Sequence, residues 1–216
     1  MASAAFYLEG LLAGLVVTLL LANGFFRRHP LLLAYLGWFA IGTLLQLAWW
    51  LTNLSVYPFV FLALTLISLL LAGLLTATLR LPLRAPLSFS VLACLVLAAT
   101  APARGGDAPV IFAALLTVYL YYGAAAWWGR AAATDAFDRI KWSSLCLLWT
   151  GKAAAVAALW SLNDGSVAGG QVFNLLYALV GCAAFLWMLV GFSRLQAEGS
   201  RAALEPGMTP VQEEGE

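Results

Sequence analysis

The sequence predicts an all-α membrane protein: a seven-transmembrane-helix bundle with short loops, its N-terminus outside and its C-terminus cytoplasmic. Three observations predict it. Apolar runs of about twenty residues recur along the chain, the length a helix needs to cross a hydrocarbon core at about 1.5 Å of rise per residue. Of 216 residues, 63% are hydrophobic and 10% charged, against roughly 25% charged in soluble domains, so a water-facing surface is in short supply. The basic residues also gather in alternate loops. A β-barrel fits badly, because the runs lack in–out alternation and exceed the roughly 9–11 residues of a barrel strand.

The first span covers Ala5 to Phe26, and Arg27-Arg28-His29-Pro30 stops it. A secretory signal carries positive charge before its apolar core and a cleavage site after it. Here Glu9 precedes the core and the positive charge follows, which predicts an uncleaved transmembrane helix. Span two runs from Leu31 to Thr52. Span three runs from Tyr57 to Leu79 with Pro58 in its first turn, where the missing amide donor does least harm. Arg80, Pro82, Arg84 and Pro86 end it.

Span four, Leu87 to Ala101, is the shortest and needs its flanks to reach about 17 residues. After the Pro102–Pro109 linker come span five (Val110 to Trp128), a loop from Gly129 to Lys141, span six (Ile140 to Asn163) and span seven (Gln171 to Phe192). Residues 1–193 then form an integral membrane domain. Residues 194–216, rich in Glu and holding Pro206 and Pro210, form an acidic tail with too little apolar surface to fold.

Seven crossings put Arg27, Arg28, Arg80, Arg84, Arg130, Arg139, Lys141, Arg194 and Arg201 on one side and only Arg104 on the other. The positive-inside rule makes that side cytoplasmic and suits a plasma membrane or bacterial inner membrane. Tyr7, Tyr35, Trp38, Trp49, Trp50, Tyr57, Trp127, Trp128, Trp142 and Trp160 fall towards span ends, as interfacial anchors do. Gly10 and Gly14 stand four apart, a spacing that permits close helix contact. Gly42–Asn53 and Gly151–Asn163 both run glycine, apolar helix, tryptophan, polar turn, a faint sign of parallel repeats on either side of span four.

Chemistry is concentrated in one side chain. Lys152 sits about 16 Å along span six from Lys141, counting about 1.5 Å per residue. A lysine at that depth costs at least about 2.5 kcal/mol if it faces lipid, so it is expected to face the bundle interior. Ser68, Tyr119, Tyr122 and Tyr177 are candidate ligand-binding neighbours near its level, with Gln46 and Asn174 placed nearer the outer side. No carboxylate is expected at the depth of Lys152, because Glu9 is placed at the outer end of span one and every Asp falls in a loop. That argues against a Lys–carboxylate relay and, for want of a counterion, against a retinal Schiff base.

Other chemistry is poorly supported. His29 is the single histidine, and Cys94, Cys146 and Cys182 lie inside helices without metal-ligand spacing. Asp135 and Asp138 have Arg139 and Lys141 beside them, so local charge compensation explains them more simply than catalysis. No phosphate-binding loop is present, and the basic residues follow topology rather than a nucleic-acid footprint. No cofactor and no metal are expected, and an enzymatic role is disfavoured. The expected function is a small transporter or transport-associated protein with an interior polar cavity around Lys152. The alternative is a ligand-binding membrane sensor or structural scaffold. Expected partners are membrane lipids, a small-molecule ligand or solute, and a protein at the cytoplasmic loops and tail.

Overall fold

A computed structural model describes residues 2–24, 29–52, 57–79, 108–162 and 167–204, with side chains described for most of them. These residues form six helices: α1 (Ala2–Ala22), α2 (Pro30–Thr52), α3 (Tyr57–Ala77), α4 (Ala108–Ala132), α5 (Ala136–Leu162) and α6 (Val167–Leu204).

Local chemistry sets several of the boundaries. Helix α1 stops at Asn23-Gly24, earlier than the basic cluster suggested. The Asn23 amide donates to Leu19 O at 3.2 Å, its side chain donates to the same carbonyl at 2.8 Å, and Gly24 takes φ +68°, a left-handed cap that suits glycine. Helix α2 opens on Pro30, with Leu33 N donating to His29 O at 3.2 Å. The loop expected from Gly129 to Lys141 shrinks to three residues, because α4 runs on to Ala132 and Asp135 caps α5. Asp135 Oδ1 accepts from Asp138 N at 2.6 Å, and Asp138 pairs in turn with Lys141. Each aspartate thus has a local structural partner. Helix α6 passes residue 193 without a break, and its last described residue is Leu204.

The helices pack in chain order, each on the next, and α6 returns to α1 to close a six-membered ring. Leu20, Leu32, Leu36, Leu145, Leu148, Phe185, Met188 and Phe192 are fully buried between them. At one end, Phe137 stacks on Phe192 at 4.4 Å and His29 stacks on Phe137 at 4.2 Å, which gives the histidine a packing role.

The seven-span bundle expected from the sequence is corrected here. Among the described residues there are six helices, and two segments, Ala4–Ala22 and Asn174–Glu198, are long and apolar enough to cross a membrane. Pro30–Leu45 and Leu66–Ala77 are shorter apolar stretches. Helix α5 carries Asp138, Arg139, Lys141 and Lys152. Span four falls in residues 80–107, outside the described residues, as does most of the acidic tail. The alternation of loop sides, with its outside N-terminus and cytoplasmic C-terminus, depended on counting seven crossings and is withdrawn with them.

The outer surface of the ring is apolar. Leu8, Leu11 and Leu15 on α1, Leu44 on α2, Leu120, Trp127 and Trp128 on α4, and Leu179, Leu186 and Trp187 on α6 are all exposed. In the apolar eighteen-residue windows that define the two candidate spans, 33% and 39% of residues are buried inside the chain.

Candidate functional site

Lys152 projects from α5 towards the centre of the ring. Its Nζ donates to Glu9 Oε1 of α1 at 2.9 Å, and each side chain is 4% exposed. The carboxylate missing from the sequence reading is therefore present. Glu9 lies seven residues into α1 and Lys152 ten residues before the end of α5, depths of about 10 and 15 Å at the usual helical rise. The reach of the two side chains spans that difference.

Glycine makes room for the contact. A Cβ on Gly181 of α6 would run into the Glu9 carboxylate, and one on Gly10 would run into Thr43 of α2. Glu9 therefore lies between α1 and α6 where only a bare backbone allows it. Gly14 meets Ala40 Cβ at 3.7 Å from its own ideal Cβ position, ordinary contact on the same α1–α2 seam.

Aromatic faces complete the surroundings of the ammonium. Nζ of Lys152 lies 4.1 Å from the Tyr177 ring centroid and 4.9 Å from that of Phe39, within the range of cation–π attraction. The Tyr119 and Tyr177 hydroxyls are hydrogen-bonded to one another. Trp149 Nε1 donates to the Tyr35 hydroxyl at 2.9 Å, and the two rings meet edge to face at 5.9 Å. Tyr122 donates its hydroxyl to Leu69 O at 2.7 Å, tying α4 to α3.

All of these groups except Tyr122 border a cavity of about 120 Å³. A water molecule needs roughly 10–15 Å³ of such space, so several waters or a compact organic molecule would fit. All six helices reach it: Phe6, Glu9 and Gly10 from α1, Tyr35, Trp38, Phe39, Gly42 and Thr43 from α2, Ser68, Leu69 and Ala72 from α3, Tyr119 from α4, Trp149 and Lys152 from α5, and Tyr177 from α6. Seven of these fifteen residues are aromatic, and the two formal charges among them sum to zero.

The residues singled out from the sequence divide accordingly. Lys152, Ser68, Tyr119 and Tyr177 line the cavity. Tyr122 is fully buried beside it, with its hydroxyl committed to the α3 backbone. Asn174 is exposed and is not part of the lining, and the side chain of Gln46 lies outside those described.

Sequence reasoning missed Glu9, Tyr35, Phe39 and Trp149. Glu9 was the one carboxylate inside an expected span, and that was the available signal for it. Tyr35, Trp38 and Trp142 were read as interfacial anchors, yet Tyr35 and Trp142 are 2% exposed and Trp38 lines the cavity. Trp127 and Trp128 do face outward, with the Arg130 guanidinium 5.6 Å from the Trp127 ring.

The ion pair is an expensive feature of a helical core. Withdrawing both charges from water costs several kcal/mol per ion, and apolar replacements of similar volume are often as stable or more so. Stability alone gives little reason to keep Glu9 and Lys152 together. Among the described residues no group of three or more His, Cys, Asp and Glu is placed to hold a metal ion. Comparison with protein-family models, with curated proteins and with solved structures gave no match.

Proposed function

We propose that this chain is a membrane-embedded binding protein of the transporter kind, in which a small polar solute enters the ring and engages the Glu9–Lys152 pair. The observation that carries this reading is a buried ion pair opening onto a cavity that all six helices line. Intramembrane charges are costly, and where they are kept they mark substrate or ion pathways. The exposed leucines and tryptophans around the ring supply the lipid-facing surface such a protein needs.

In this mechanism Lys152 and Glu9 satisfy each other when no solute is bound. A solute that offers both of them partners removes the direct link between α1 and α5. With that link broken, α1 and α6 shift against the remaining helices and the cavity opens to the other side. The binding energy is the difference between two sets of satisfied charges, so the site is never required to hold a bare ion.

Reactivity of Ser68→Cys tests the reading, on a background with Cys94, Cys146 and Cys182 replaced by Ala. In sealed lipid vesicles, a negatively charged sulfonate thiol reagent applied from the water should label the cavity cysteine, and Lys152→Met should slow that labelling severalfold by removing the attracting charge. A folded Ser68→Cys protein that resists water-borne thiol reagents from both faces of the membrane would exclude the cavity as a solute path.

A further inference from the structure

We infer that the ligand of this cavity is a compact zwitterion carrying an ammonium and a carboxylate, of the kind an α-amino acid presents. The inference rests on the solute-binding reading above and names the substrate class for the same site. It follows from charge balance. Glu9 and Lys152 are each 4% exposed and neutralise one another at 2.9 Å. A cationic ligand that took Glu9 would strand the lysine ammonium, and an anionic one that took Lys152 would strand the carboxylate. A stranded charge in a buried site costs more than its new contact returns. A zwitterion inserted between the two replaces one ion pair with two and leaves every charge partnered.

The surroundings match both ends of such a ligand. The Tyr177 and Phe39 rings already receive an ammonium, that of Lys152, with centroids at 4.1 and 4.9 Å. A ligand ammonium drawn to Glu9 enters the same aromatic enclosure. The Tyr35 hydroxyl, also in the lining, accepts from Trp149 Nε1 and so keeps its own proton to donate to a carboxylate. Phe6, Trp38 and Leu69 offer apolar wall for a short side chain, and a volume of about 120 Å³ sets the limit on its size.

Binding to the purified full chain in lipid nanodiscs tests this. Radiolabelled L-valine and glycine are the zwitterionic probes, with 2-methylpropylamine and 3-methylbutanoate as analogues of valine that each keep one charged group. Saturable binding of at least one zwitterion is expected, with the singly charged analogues at least tenfold weaker. Glu9→Gln should shift the preference towards 3-methylbutanoate, and Lys152→Met towards 2-methylpropylamine, an exchange of charge selectivity that a merely structural pair would not produce. If either neutralised variant fails to fold, Glu9→Asp and Lys152→Arg provide the second reading and should weaken binding while keeping the zwitterion preferred.

The inference is overturned if neither zwitterion binds saturably, if a singly charged analogue binds within threefold of valine, or if folded neutralised variants leave the preference unmoved. Those failures stay separate from failure of the solute-path reading. A Ser68→Cys cavity that reacts with polar reagents while no zwitterion binds would overturn the ligand class alone.

Discussion

At the residue scale, the two charges are interdependent and neither can be judged alone. Lys152→Met leaves Glu9 buried without its cation, and Glu9→Gln leaves the ammonium beside the aromatic faces without its counter-charge. Removing one partner of a buried pair is expected to cost about 3–5 kcal/mol, whereas removing both leaves no stranded charge. Glu9→Gln with Lys152→Met should therefore be markedly more stable than either single variant, as measured by reversible unfolding in mixed micelles and analysed as a double-mutant cycle. If the single variants were as stable as the parent, the pair would not be buried as described. Tyr35→Phe addresses a second bond: Trp149 Nε1 loses its acceptor at 2.9 Å inside the ring, and a loss of about 1–3 kcal/mol is expected in the same assay.

At the element scale, close approach of helices positions the site, and glycine controls that approach. The carboxylate of Glu9 fills the space where a Gly181 side chain would begin. Gly181→Ala should force α1 and α6 apart or turn Glu9 away from Lys152, at a cost of about 1–3 kcal/mol for overpacking. Its effect should shrink in a Glu9→Ala background, where the collision is gone. Independence of the two substitutions would remove Gly181 from the site.

Much at this scale was legible in the sequence. Apolar run lengths located α1, α2, α3 and the core of α6, and the isolation of Lys152 pointed to the interior. The Glu9 contact was not legible, because depth was counted from apolar run ends while the real axial positions follow caps such as Asn23-Gly24 and the stagger of packed helices. Nor could periodicity separate Tyr35 and Trp142, which face inward, from Trp127 and Trp128, which face outward. In a segment apolar on all sides, hydrophobicity carries no directional signal.

At the scale of the whole molecule, the ring departs from the usual arrangement of a soluble protein: the Glu9–Lys152 ion pair lies at its centre, and large apolar side chains cover much of the rim. That distribution suits a rim in contact with hydrocarbon, the setting of the proposed function, and the candidate span Asn174–Glu198 offers a sharp test of it. Leu186, twelve residues from either end of that span, is 50% exposed, while its neighbour Phe185 is fully buried against Phe39 at 5.2 Å. If hydrocarbon covers the rim, Leu186→Arg places a cation near the middle of the bilayer and should cost about 2.5–3.5 kcal/mol on an insertion scale. The fraction of chain resisting extraction by alkaline carbonate should fall accordingly. In a water-exposed position the same substitution would be within about 0.5 kcal/mol of neutral and would improve solubility. Phe185→Ala works through packing instead, lowering unfolding stability by about 3–5 kcal/mol with little effect on membrane retention. A Leu186→Arg protein that stayed fully integrated, or a parent chain released by carbonate without detergent, would place the rim in water and leave the central ion pair with a purely structural role.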